Sequence, residues 1–284
     1  MHVQRNPTID SDGTLDNQII AHEFYHYTHN RLADVSSQQS RAMGEGWGDI
    51  SALMLSVRAS DTQIPGNDRY QGAYGLAGYV IDNFYSGIRR APYSTDMKLN
   101  AFTLKHIADG EPTPDGGDGA SNSQVHSSGE IWSNMLWECY TGLLNDPRHS
   151  FEEARNRMKD YLIGGLKMTP GSATYTEARD AVLSVVLAND FQDYAACSTG
   201  FAKRGNGLNA VAPDRSSVDH VGVAEDFSPF ICGSVANLGS PGTSGGGTVV
   251  NNQRFGGGVL SASLLWLLLS LVLGGRALAR RREY

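Results

Sequence analysis

Apolar residues recur at helical spacing through residues 15–33 and again through 40–59, and the polar segment Arg31 to Ser40 joins the two stretches. Residues 72–86 carry a third pattern of the same kind. From Gly87 to Ser123 proline and glycine punctuate the chain, leaving only a short helical piece near Phe102–Ile107. Helical spacing returns from Ser127 to Leu144, where Ile131, Trp132, Met135, Leu136 and Trp137 mark a core face. Ser150-Phe-Glu-Glu153 and Thr174-Tyr-Thr-Glu177 then open helices that run to about Met168 and about Leu187. In both, a hydroxyl and a Glu three residues on can satisfy free amides of the first turn. A last helix is predicted from Asp190 to Lys203. Strand-like segments are few and no internal repeat is evident, so the body is predicted to be mainly α.

Composition changes this picture chiefly at the C-terminal end. With 40% apolar and 19% charged residues among 284, the chain is that of a folded protein. Residues 233–258 are rich in Gly, Ser, Thr and Asn, and read as a flexible linker. Phe255 to Gly275 is 21 residues without a charge, and Arg276, Arg280, Arg281 and Arg282 follow at once. That length suffices to span a bilayer with the arginines on the cytoplasmic side. The chain thus divides into a body (1–232), a linker (233–258) and a transmembrane tail (259–284). The formal net charge is −7; without the +3 of Arg276 to Tyr284 the remainder carries −10. No long basic run precedes the tail, which argues against a nucleic-acid partner.

The body is therefore expected outside the cytoplasm, yet Met1 to Gly13 is polar and has no hydrophobic signal core. We expect the natural start of the protein to lie upstream. Outside the cytoplasm the three cysteines would form one disulfide and leave one thiol. Cys197–Cys232 is the expected pair, since Cys139 sits in an apolar helical run where a small hydrophobe is needed.

The chemistry concentrates in three elements. In His22-Glu23-Phe24-Tyr25-His26, four residues of helix turn through about 400°, so both imidazoles project from one face and can reach one zinc ion. Glu23 is then placed to take a proton from a metal-activated water without binding the metal. Glu45, in Met43-Gly-Glu-Gly-Trp-Gly-Asp49, follows His26 by 19 residues, enough for a turn and a returning helix that brings a third ligand and leaves one position open. Asp49 falls one turn beyond Glu45, where it can accept the distal N–H of a ligand imidazole and fix its ring. The competing reading of Glu45 and Asp49 is a solvated helix face. His126, in Val125-His-Ser-Ser-Gly-Glu130, lies at a loop-to-helix junction and can donate to an oxyanion; its competing reading is a surface cap.

Together these elements resemble the thermolysin-like gluzincins, and more closely the fungalysin family of secreted zinc metallopeptidases. The resemblance rests on Leu15 to His26, Gly44 to Asp49, Gly87 to Asp96 and Val125 to Trp132, and extends from about residue 10 to about 205. It implies the helical catalytic lobe of a thermolysin-like metallopeptidase and one catalytic zinc on His22, His26 and Glu45. It also implies Glu23 as general base and His126 as transition-state stabiliser. One of Arg89 and Arg90 resembles a substrate-carbonyl or structural arginine; Arg89 is the choice for substrate contact. Family members carry a mostly β lobe before the zinc helix, and here 21 residues precede His22. That lobe, one wall of the substrate cleft, is expected to be missing from this chain. Gly48 stands where Ser is common in the family, and the tyrosine that assists the oxyanion is not placed.

Three further readings complete the expectations. His29 is predicted on the helix surface, since a fourth protein ligand would close the site. Asp109, Glu111, Asp115 and Asp118 could bind calcium, with a solvated loop as the competing reading. The tail resembles bacterial surface-sorting tails of the glycine-glycine type, in which a membrane protease would act near Gly256-Gly-Gly258; a permanent anchor competes with that reading. The function expected is a zinc endopeptidase acting on proteins outside the cytoplasm. The alternatives are an inactive surface-anchored module that keeps the metal site, and an aminopeptidase, for which no amine-gripping motif is seen.

Overall fold

Each predicted helix needs a partner for the free amides of its first turn, and the chain supplies one nearly every time. The computed structural model describes residues 12–230. Helix α1 (Asn17–Leu32) is capped by Asp16, whose carboxylate accepts from Gln18 N, and α2 (Gln38–Ser56) by a reciprocal Ser37–Ser40 box. After the short α3 (Gly78–Ile81) come α4 (Val125–Leu144), α5 (Phe151–Met168), α6 (Tyr175–Asn189) and α7 (Phe191–Lys203). Ser150 caps α5, and Thr174 with Glu177 forms the full capping box of α6. Among the described residues the extended segments make only isolated bridges, so the fold is mainly α.

The predicted helix over 72–86 is where periodicity misleads. Only α3 forms, and left-handed residues bound it, Ala77 at φ +54 and Asp82 at φ +53. The apolar residues of the pattern are spent otherwise: Tyr74 bridges Tyr93, and Leu76 bridges Gly87. Gly87, at φ +66, lies so close to the Leu76 backbone that no side chain could stand there.

Helix α2 lies between α1 and α4, and together α2 and α4 supply the centre of the core. Trp47 packs edge-on against Trp132, with ring centroids 5.4 Å apart, and Trp132, Met135 and Trp137 are fully buried as predicted. Glycines set how near the helices approach. A Cβ on Gly48 would meet His22 Nδ1 at 2.7 Å, and one on Gly44 would meet His29 Nδ1 at 2.9 Å. On the other side, a Cβ on Gly129 would meet Ala42 O at 2.5 Å and Glu45 Cβ at 2.6 Å. Backbone cannot yield as a flexible side chain can, so Gly129→Ala is expected to cost about 1–3 kcal/mol of stability. The check is the urea midpoint at unchanged slope; an unshifted midpoint would mean that α2 and α4 separate freely.

The disulfide corrects the sequence reading. Cys139 on α4 is bonded to Cys197 on α7, both fully buried, and Cys232 lies outside the described residues. The cause is again close helix approach: a Cβ on Gly200 would meet Glu138 Cβ at 2.8 Å, and one on Gly142 would meet Ala196 Cβ at 3.2 Å. An apolar run therefore supplied a cross-link as well as a packing residue. Among the described residues no helix is long and apolar enough to cross a membrane. The predicted linker, the span over 255–275 and the Gly256–Gly258 processing region all lie outside the described residues.

Candidate metal centre

Four residues apart on α1, the rings of His22 and His26 meet at right angles with centroids 4.6 Å apart. Helix α2 returns beside them and carries Glu45 into the same space. His22 Nε2 lies 3.2 Å from Glu45 Oε2, and His26 Nε2 lies 3.6 Å from Glu45 Oε1. The ligand atoms of all three residues fall within 4.8 Å of one another. Atoms bound ~2.0–2.1 Å from a tetrahedral zinc stand about 3.3 Å apart, so the spacing suits one such ion. Glu45 Oε2 is moreover buried, with His22 Nε2 at 3.2 Å and His126 Nε2 at 3.3 Å but no well-aligned hydrogen bond, so that a cation there would offset its desolvation. Two imidazoles and a carboxylate with this geometry fit a zinc ion.

Around this trio stands a second set of groups. Asp49, fully buried one turn along α2, has Oδ1 2.8 Å from His22 Nδ1. Arg89 donates to Asp49 from Nε at 2.6 Å and from Nη2 at 2.7 Å, and the Tyr93 hydroxyl donates to Oδ2. Arg89 is buried and its Nη2 is 3.8 Å from Glu45. Desolvation works against the charged form of Asp49, but Arg89 and His22 outweigh it and hold its pKa well below the usual range.

Electrostatics favour a cation at this point. Desolvation would lower the pKa of His22, but Asp49 and Glu45 outweigh it and raise it to about 9. His26 is pushed down by burial and by His22, and Glu45 is held down by the histidines in spite of its own burial. In the metal-free protein His22 thus gives a stabilisation that is full below its ordinary pKa of 6.5 and fades as pH rises through 9. A metal bound through His22 would have to displace that proton. Zinc affinity is therefore expected to climb about tenfold per pH unit from neutrality up to the pKa of His22 and then level off. Competition with a chelator at stepped pH checks this, and a flat profile would show that His22 holds no proton there.

His126 is the second residue of α4, half exposed, with Nε2 3.3 Å from Glu45 Oε2. Gln124 Oε1 accepts from the amides of His126 at 2.8 Å and Ser127 at 3.1 Å. Its amide nitrogen then lies 2.7 Å from His126 Nδ1 and must donate to it, which leaves the hydrogen on Nε2, facing the centre. Arg90 fastens this turn from below. It donates to Asn122 Oδ1 at 2.8 Å and to Ser127 O at 2.6 Å, and its Nε donates to the buried Glu130. Glu23 follows His22 on α1 and is exposed to solvent.

The structure thus gathers His22, His26, Glu45, Asp49, Arg89 and His126 about one point. His29 does not lie on the helix surface as predicted: it is buried between α1 and α2 against Gly44, and burial lowers its pKa to about 4. The four acidic loop residues do not converge among the described residues. Asp109 takes Ser123, Glu111 pairs with Lys105 at 2.6 Å, Asp115 accepts from Thr113 and Asp118 accepts from Ala120 N. A second convergence of Asp146, His149 and Asp193 is already neutralised, since Arg148 and Arg157 donate to Asp193 at 2.9 and 3.2 Å and Tyr161 at 2.6 Å. Tyr93, Gln124 and the Arg90–Glu130 pair escaped the sequence reading. Gln124 is legible in hindsight as an N-cap acceptor one residue before α4, whereas Tyr93 reaches Asp49 only through tertiary folding.

The model of the fungalysin metallopeptidase family, M36, matches residues 1–210. The extracellular metalloproteinase mep of Aspergillus terreus is 30% identical over 229 residues, 73% of this chain and 33% of its own. The extracellular metalloproteinase NpIII of Aspergillus oryzae is 30% identical over 231 residues, 74% of this chain and 33% of its own. The extracellular metalloproteinase 2 of Trichophyton tonsurans is 28% identical over 217 residues, 70% and 31% of the two chains. The chain spans about a third of the length of the curated relatives it matches.

Proposed function

The chain belongs to the fungalysin metallopeptidase family, and on that premise we propose that it hydrolyses internal peptide bonds of proteins with one zinc ion held by His22, His26 and Glu45. The observation that carries this reading is the convergence of two imidazoles and one carboxylate whose ligand atoms all lie within 4.8 Å of one another. Zinc held by these residues would supply a Lewis acid, making water a nucleophile near neutral pH and drawing electron density from the scissile carbonyl.

The chain's own residues do the rest. Glu23, beside His22 and open to solvent, accepts the proton of the attacking water and later passes it to the leaving amine. His126, with its hydrogen on Nε2, donates to the oxygen that becomes negative as the carbonyl turns tetrahedral. Asp49, gripped by Arg89 and Tyr93, holds the His22 ring in the orientation that presents Nε2. Arg89 is buried with Nε and Nη2 on Asp49, so its part in this reading is to hold that carboxylate.

The relatives named above are extracellular, and we place the body of this protein outside the cytoplasm as well, with residues 255–275 as an anchor or sorting signal. Fractionating cells and following the chain with and without those residues tests the anchor. For the activity, 1,10-phenanthroline is expected to abolish casein cleavage and added zinc to restore it. A form extended upstream is assayed beside this chain. The second reading, a module that keeps the metal without the reaction, predicts that both forms bind zinc and both leave casein intact.

A further inference from the structure

We propose that Tyr93 is a positioning residue for the metal, acting through Asp49 on His22. The inference rests on the metal site proposed above. Asp49 is a fully buried carboxylate with two close neighbours at each oxygen. Oδ1 meets His22 Nδ1 at 2.8 Å and Arg89 Nη2 at 2.7 Å; Oδ2 takes Arg89 Nε at 2.6 Å and the Tyr93 hydroxyl. Arg89 alone fixes the plane of the carboxylate through its paired bonds, but a guanidinium on a long stem can tilt with it. Tyr93 cannot tilt. Its backbone is paired with Tyr74 in both directions, at 2.9 and 3.0 Å, its ring is 1% exposed, and Asn100 Nδ2 donates to the carbonyl of the preceding Pro92 at 2.8 Å.

A phenylalanine would fill the same hole without burying a hydroxyl, which costs free energy unless that hydroxyl is bonded. The hydroxyl does have an acceptor, and it is the one carboxylate that faces His22 Nδ1. Holding Asp49 in place keeps the His22 ring turned so that Nε2 faces Glu45, 3.2 Å away. Partners at one remove from a metal commonly govern its affinity by 10–100-fold (an order-of-magnitude range).

The test is Tyr93→Phe in the full chain, with the zinc dissociation constant measured by chelator competition at fixed pH. The expected result is about tenfold weaker zinc binding. The melting temperature of the metal-free protein, followed by circular dichroism, is expected to fall by several degrees, since a buried carboxylate loses one donor, and the zinc titrations are run well below it. In an Asp49→Asn background the same substitution is expected to change zinc affinity by less than about twofold, since the path through Asp49 is already cut. Unchanged zinc affinity in Tyr93→Phe, or an equal loss in both backgrounds, would overturn the proposal and leave Tyr93 a core aromatic. Failure of the metal-site reading itself looks different: the parent chain would then bind no zinc, or would bind it equally well after His22→Ala.

Discussion

Glu23→Gln is expected to retain one zinc per chain and to lose casein hydrolysis by about a thousandfold, within the 10²–10⁴ range of general-base catalysis. The two halves of that result come from where Glu23 stands. It lies between the two histidines in sequence but is exposed to solvent, while Glu45 is the carboxylate that lies beside both imidazoles. Glutamine keeps the size and hydrogen-bonding reach of the side chain but cannot accept a proton from water. Turnover and bound zinc are measured on the same preparation. Parental turnover with zinc in place would remove Glu23 from the mechanism, and loss of zinc together with activity would make it a ligand or a structural support.

Glu45→Ala is expected to have the largest effect on the metal, weakening zinc by more than the ~10–100-fold typical of outer partners. Two distances explain why: its oxygens lie 3.2 Å from His22 Nε2 and 3.6 Å from His26 Nε2. Without that carboxylate the site retains two imidazoles on one helix and no anionic ligand. The expected outcome is less than one zinc per ten chains after dialysis against a weak chelator. Retention of stoichiometric zinc would assign the third position to another residue, and Asp49, already committed to Arg89 and Tyr93, would be the first to check.

Much of this site was legible because its geometry is helical and local. His22 and His26 share a face because four residues make about one turn, and the second helix follows closely enough that Glu45 can only return beside them. The helix starts were legible for a similar reason, since Ser150, Thr174 and Asp190 announce themselves through the amides they cap. What escaped depends on contacts between distant segments. Residues 72–86 have helical spacing, yet Tyr74 and Leu76 are spent on bridges to Tyr93 and Gly87. His29 reads as a surface residue until Gly44 removes the side chain that would have kept α2 away from it. Cys139 reads as a small hydrophobe until Gly142 and Gly200 bring α7 against α4. Glycine gives no hydrophobic signal, so the places where helices touch most closely are the places where a pattern of apolar residues says least.

The most direct measurement is the zinc content of the purified full chain together with X-ray absorption at the zinc edge, for the parent and for His22→Ala. The account predicts one zinc per chain in the parent, with two imidazoles and one carboxylate about 2.0–2.2 Å from the metal, and a loss of that zinc in the variant. A parent that holds no zinc after loading, or a bound zinc whose neighbours are sulfur or are unchanged in His22→Ala, would contradict it.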